Sequence, residues 1–245
     1  MAKLYLLGGE NLRRRDAKEI NLSAFQDAGG KPKVLVFAWA HATFGNNYTY
    51  RKRVLDYFRS LGASDVDFAE FSDTPEETAR KVRGSDLVYI TGGFASALIQ
   101  RLKARSVSTL LRGYNGVIVG RSAGALALCK RCVVTDRNKR SAKIVEGLGH
   151  AELCVKVHYR PSKDKTLRLL SMQERIYAIP HRAALICNGG SLSFMGDLFS
   201  FENGERFLLK DRGEVKLGID SNRAAPLAVD RNQPSQITSG NPKEI

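Results

Sequence analysis

Gly120-Arg121-Ser122-Ala123-Gly124 has the G-x-S-x-G form, and its surroundings give that form a chemical meaning. The apolar run Gly116–Gly120 (GVIVG) reads as a strand leading directly into it, and the following ALALCK reads as a helix. A serine on such a strand-to-helix turn projects its hydroxyl towards a ligand at the helix N-terminus. The small neighbours let the chain fold sharply there. The Ala123 N–H and the helix dipole then face the oxyanion that forms in acyl transfer. Gly92-Gly93, after the apolar run Leu87–Thr91 (LVYIT), lies at the carboxyl end of another strand, where α/β sheets bind ligands. The Gly93 N–H is the second candidate for that oxyanion hole, although the same pair also serves as a plain turn.

A serine nucleophile needs a base. The histidines are His41, His150, His158 and His181. His158 ends the apolar segment CVKVH, at a strand tip where catalytic groups gather, and His41 follows the strand VLVFAWA and can line the same mouth. Cys129-Lys130-Arg131-Cys132 is a lone C-x-x-C that reads as ending the helix after the serine. It reads as structural, because zinc needs two further ligands at workable spacing. Gly147-Leu148-Gly149 lacks the third glycine of a dinucleotide fingerprint, and no G-K-[ST] follows a glycine loop.

The elements that must position these groups are short apolar runs with helical spacers. Leu4–Leu7, Val34–Ala40, Leu87–Thr91 and Gly116–Gly120 are unbroken rather than alternating, which suits strands covered on both faces. Tyr48–Leu61, Thr74–Val82 and Ser96–Lys103 carry helical apolar stripes, the second opening on Thr-Pro-Glu-Glu. The expected fold is α/β: a doubly wound, mostly parallel sheet with helices on both faces. Ile176–Ile179, Ala183–Cys187, Ser191–Met195 and Arg206–Leu209 read as an antiparallel C-terminal extension of that sheet.

Length and composition agree. The 245 residues with 43% apolar and 26% charged content suit one domain, here 1–229, followed by a polar tail of 230–245. No run approaches the length of a membrane span and no leader is evident, and four cysteines make no disulfide framework. A reducing cytoplasm is the expected compartment. The net charge is +14, and +8 of it falls in residues 121–168, which carry twelve basic and four acidic residues. That balance suits an acidic small substrate. No nucleic-acid motif interleaves aromatic residues with the basic cluster, so nucleic acid is not the expected partner.

Gly120–Ala125 (GRSAGA) resembles the nucleophile elbow of the dipeptidase E and cyanophycinase family of serine peptidases. Phe37–Gly62, Tyr89–Leu98 (YITGGFASAL), Gly147–His158 (GLGHAELCVKVH) and residues 175–196 are similar, in order, to its other segments. The resemblance spans about residues 3–200. It implies a sheet like that of class I glutamine amidotransferases, with serine where those enzymes carry cysteine. It implies Ser122 as nucleophile, His158 as general base, an acyl-enzyme, and no metal or cofactor. It also implies a short acidic peptide as substrate and a monomer or homodimer as the working form.

The family's third catalytic member has two placements. One is the Thr-rich segment that Val133-Val134-Thr135-Asp136 resembles, which makes Asp136 the acid. The other is a glutamate after a proline in the closing β segment, where this chain has His181 after Pro180. Phe94 stands where the family usually has asparagine. The cation that holds a substrate carboxylate in aspartyl dipeptidases is matched by Lys165 or Arg168. These departures leave two readings: a peptidase cleaving after an N-terminal aspartate, or a non-catalytic member that binds a peptide or an acidic ligand.

Overall fold

The structure, a computed structural model, describes residues 1–44, 47–135 and 142–216. Asp136 and the expected tail, 230–245, lie outside the described residues.

Five parallel strands form the centre of the first sheet. They are β1 (Lys3–Leu7), β2 (Lys33–Phe37), β3 (Asp65–Phe68), β4 (Leu87–Ile90) and β5 (Val117–Arg121), in the spatial order β1-β5-β4-β2-β3. The helices between them are α1 (Lys18–Asp27), α2 (Arg51–Ser60), α3 (Pro75–Arg83), α4 (Ala95–Ala104) and α5 (Val107–Arg112). Strand periodicity sorts the side chains: Tyr5, Leu7, Val34, Val36, Tyr89 and Val119 pack against Ile20, Phe25, Val54 and Phe58 of α1 and α2. Leu4, Leu6, Leu35, Val88, Ile90 and Ile118 face Val82, Leu98, Leu102 and Val107 of α3, α4 and α5. Both faces are therefore covered, which is why these strands read as continuous apolar runs. The Thr-Pro-Glu-Glu start forms a full capping box, with Thr74 Oγ1 accepting from the Glu77 N–H at 3.1 Å and Glu77 Oε2 from the Thr74 N–H at 2.8 Å.

After β5 comes α6 (Ala123–Leu128), whose six residues are all buried. The chain then builds a second sheet. Its strands are β6 (Cys129–Thr135), β7 (Ala142–Glu146), β8 (Ala151–Val157), β9 (Ile176–Ile179), β12 (Leu198–Glu202) and β13 (Glu205–Leu209), in the order β13-β12-β9-β8-β6-β7. Between β8 and β9 lies α7 (Asp164–Leu170). The strands β10 (Ala184–Asn188), β11 (Ser191–Met195) and β14 (Arg212–Lys216) return to the first sheet as an antiparallel extension on β1.

Two details differ from the sequence reading. Ile176–Ile179 and Arg206–Leu209 belong to the second sheet and not to the extension; β9 runs parallel to β8, pairing Cys154 with Ile176 and Val157 with Ile179. A four-residue apolar run buried on both faces looks the same in either sheet. Cys129 is the C-cap of α6 and at once opens β6, and Cys132 lies within that strand. Both are free and buried, as are Cys154 and Cys187. No helix among the described residues is long and apolar enough to cross a membrane.

Candidate active site

Ser122 sits at the junction of β5 and α6 with φ 53° and ψ −106°. A non-glycine residue rarely adopts such a backbone, and holding it costs roughly 1–3 kcal/mol. The turn is held by backbone bonds on either side: the Ser122 N–H donates to Leu7 O at 2.9 Å, and Ser122 O accepts from the Leu126 N–H at 3.0 Å. The flanking glycines have steric causes. A Cβ on Gly120 would stand 2.7 Å from Ala125 N and from Gly124 C, and one on Gly124 would overlap the Ile90 carbonyl. The G-x-S-x-G pattern is thus what α6 needs in order to lie against β4 and β5.

The base comes from the second sheet. His158 follows β8 with φ 53°, and its N–H donates to Gly8 O at 3.1 Å. Its Nε2 lies 2.7 Å from Ser122 Oγ, across a sequence separation of 36 residues. On the far side of the ring, His158 Nδ1 lies 2.6 Å from His181 Nε2. His181 follows Pro180 at the end of β9, and the Arg182 N–H that follows it is fixed on Gly9 O at 3.0 Å. The hydrogen-bond pattern has one consistent assignment when Ser122 donates. His158 then carries its proton on Nδ1 and donates it to His181 Nε2, and His181 carries its own on Nδ1.

Gly9 makes room for this pair. A Cβ on Gly9, whose φ is +153°, would stand 2.6–2.8 Å from His158 Cε1 and Nδ1 and from His181 Nε2. In the sequence Gly8-Gly9 follows the apolar run Leu4–Leu7 and is not singled out. Its position at the carboxyl edge of a strand, like that of Gly92-Gly93, was the available signal.

Desolvation and nearby cations lower both imidazoles. His158 is pushed down to about 4, first by desolvation and then by His181, Lys156, Arg121 and Arg160. His181 is lowered by desolvation, with Asp16 opposing and Arg160, Arg182 and Arg121 adding to the effect. Asp16 is tied elsewhere: it accepts the Asn11 N–H at 2.7 Å and lies 3.4 Å from Arg182 Nε. Among the described residues, no carboxylate is within ion-pair distance of either histidine.

The oxyanion candidates flank the serine. A Cβ on Gly92 would stand 3.2 Å from Ser122 Cβ, so the Gly92-Gly93 turn runs alongside the nucleophile. The next N–H, of Phe94, donates to Ala40 O at 2.7 Å, and the Gly93 N–H makes no backbone hydrogen bond among the described residues. Ala123 is the first residue of α6, where the N–H has no intrahelical acceptor. His41 packs on Tyr48 and Tyr50. Phe94 is 60% exposed at this mouth. His150 is elsewhere, against Ser108 at 3.3 Å.

Lys165 and Arg168 lie on α7. Arg168 Nη1 donates to Gly204 O at 2.7 Å, and Lys165 is exposed. Neither is among the groups that act most strongly on the histidine pair. The cation that acts on both rings from the same loop is Arg160, two residues beyond His158. Sequence reading passed over it, because nothing but its distance from His158 along the chain distinguishes it from its basic neighbours.

A model of peptidase family S51 matches residues 4–197. Among solved structures, a peptidase from an acI-B1 Actinobacterium shares the fold with a TM-score of 0.67 at 17% identity, over 89% of this chain and 97% of that one. A provisionally assigned peptidase E protein from Listeria monocytogenes EGD-e gives 0.58 at 20% identity, over 79% and 98%. No curated protein matches. A strained serine on an elbow, a histidine on its hydroxyl and a family match over residues 4–197 lead to one assignment: the chain belongs to peptidase family S51 and is a serine peptidase.

Proposed function

We propose that the protein hydrolyses short peptides through an acyl-enzyme on Ser122, with His158 as general base and His181 as its orienting partner. The observation that carries this reading is the 2.7 Å contact between Ser122 Oγ and His158 Nε2 at a strained strand-to-helix turn. In the first half-reaction Ser122 Oγ attacks the scissile carbonyl and His158 Nε2 takes its proton. The Gly93 and Ala123 N–H groups receive the oxyanion. His158 then protonates the leaving amine, and a water repeats the sequence to release the acid.

His181 takes the place of the usual carboxylate. Accepting from His158 Nδ1–H, it fixes the tautomer that leaves Nε2 free for the serine proton. A neutral imidazole stabilises the imidazolium less than an anion does, so the expected rate is lower than with an acid in that position.

The preferred substrate has an acidic residue, aspartate first, before the scissile bond. Arg160, Arg182, Arg121 and Lys156 act on the histidine pair, opposed among the described residues by Asp16, and this excess of positive charge favours a substrate carboxylate. Arg160 is the better-placed candidate for the contact first assigned to Lys165 or Arg168. A second reading, a non-catalytic binder of an acidic peptide, is favoured by His181 standing where an acid is expected. Hydrolysis of Asp-X, Glu-X and Ala-X dipeptides, with Ser122→Ala in parallel, separates the two. Cleavage of Asp-X that Ser122→Ala abolishes supports the peptidase; binding without cleavage by both proteins supports the binder.

A further inference from the structure

Arg121 precedes the nucleophile in the chain, yet its side chain turns back beneath the Gly92-Gly93 turn. A Cβ on Gly92 would stand 3.3 Å from Arg121 Nε and 3.2 Å from Ser122 Cβ, so guanidinium and nucleophile flank the same glycine. The guanidinium carbon is 6.0 Å from the centre of the Tyr89 ring. The Tyr89 hydroxyl donates to Glu10 Oε1, and Glu10 Oε2 accepts from Asn21 Nδ2 at 2.9 Å. The same amide donates to Tyr57 Oη at 2.9 Å. A cation from the end of β5 is thereby linked to an acid just beyond β1 through a fully buried tyrosine of β4. Burial raises the Glu10 carboxyl, and Arg121 opposes that rise more than any other neighbour. Nothing in the G-x-S-x-G form requires a cation before the serine, and no atom of this chain of contacts bonds to Ser122 Oγ or to either imidazole among the described residues.

We propose that Arg121 is a positioning residue that also supplies a fixed counter-charge for the oxyanion, held under the Gly92-Gly93 turn by the Tyr89–Glu10 link. The reaction creates an oxyanion beside Gly93 and an imidazolium at His158. A fixed cation helps only if it is coupled more strongly to the first than to the second. Arg121 lies against the glycine next to Gly93, whereas its effect on His158 ranks behind desolvation, His181 and Lys156. The arrangement suits a site whose orienting group is a neutral imidazole, because less stabilisation of the imidazolium leaves more to be done at the oxyanion. The charge has a measurable side effect on His158. That ring faces His181, Lys156, Arg121 and Arg160, and His181 in turn faces Asp16, Arg160, Arg182 and Arg121. Removing one cation from this set makes the imidazolium easier to form.

The inference rests on the Ser122–His158 reading, and its test keeps the two apart. Full-length wild type, Arg121→Gln and Arg121→Lys are compared by pH profiles of kcat and KM on an Asp-X dipeptide. His158 is titrated separately by NMR in the same three backgrounds carrying Ser122→Ala. Arg121→Gln is expected to lower kcat about tenfold or more with KM within about threefold, as for the loss of one electrostatic contact to the oxyanion. It is also expected to move the His158 titration upward by at least about half a pH unit. Arg121→Lys, which keeps the charge, should leave the titration in place and recover most of kcat. A kcat that Arg121→Gln leaves within about threefold of wild type, a loss that Arg121→Lys does not recover, or a KM that rises as far as kcat falls overturns the proposal, wherever His158 titrates. Hydrolysis that survives Ser122→Ala overturns the nucleophile reading instead, and leaves the titration result to be judged by itself.

Discussion

The two halves of the site are built under different rules. The nucleophile side belongs to the parallel sheet, where sterics set each residue type: Gly120 and Gly124 because a side chain would strike backbone, Ser122 at a φ of 53°. The base side hangs from β8 and β9 of the second sheet, and there only the tips of two side chains matter. His158 reaches Ser122 at 2.7 Å and His181 reaches His158 at 2.6 Å. A carboxylate or an imidazole fits the outer position without altering the strand that carries it. Backbone-dictated positions therefore hold their residue types, while an electrostatic role can pass to a different chemical group.

This contrast ranks the ways to break the site. Ser122→Ala should lower kcat by about 10³–10⁶-fold with the fold intact, read by dipeptide hydrolysis and circular dichroism. Gly124→Ala, on the same side, should damage the fold as well as the chemistry. Its Cβ meets the Ile90 carbonyl, and overpacking of that kind costs about 1–3 kcal/mol, a Tm loss of about 2–12 °C for a chain of this size. On the base side, His181→Ala should cost only about 10- to 100-fold in kcat and little stability. His181→Glu sharpens the contrast, since the account expects it to raise kcat several-fold. It should also shift the acid limb of the pH profile to higher pH, because an anion beside His158 favours the imidazolium.

The wild-type profile follows from the same signs. Desolvation, His181 and three cations hold His158 well below an ordinary histidine, at about 4. The free base therefore persists on acidification, and kcat/KM should stay level from neutral pH to about 5, whereas an unperturbed histidine would be half protonated at about 6.5. The smallest effect lies outside the site. His150 is pushed down to about 4 by burial and by Arg112. Its contribution to stability is complete above about 6.5, the unfolded value, and is lost as pH falls towards 4, because the unfolded chain takes up the proton more readily. His150→Asn should flatten that part of the stability profile in thermal melts at pH 4–7.

Much of the parallel sheet was legible because burial on both faces writes itself as unbroken apolar runs such as LVYIT and GVIVG. The elbow was legible because close packing restricts its residues to a short pattern. The second sheet was not separated from the extension: IYAI of β9 has the same character whichever sheet receives it, and only pairing with β8 decides. His158 was placed by its strand tip and by family resemblance. His181 was noticed as a departure, but its contact with His158 depends on β8 and β9 running side by side and on the space left by Gly9. Arg121 and Glu10 are 111 positions apart and meet through Tyr89, a relation that no local pattern encodes.

The most direct test is labelling by a fluorophosphonate, which phosphonylates an activated serine, followed by peptide mapping of the intact-protein adduct. The account predicts a single adduct on Ser122, formed at least about 100-fold more slowly in His158→Ala and at an intermediate rate in His181→Ala. An adduct on another serine, or a Ser122 rate unchanged by loss of His158, would contradict it.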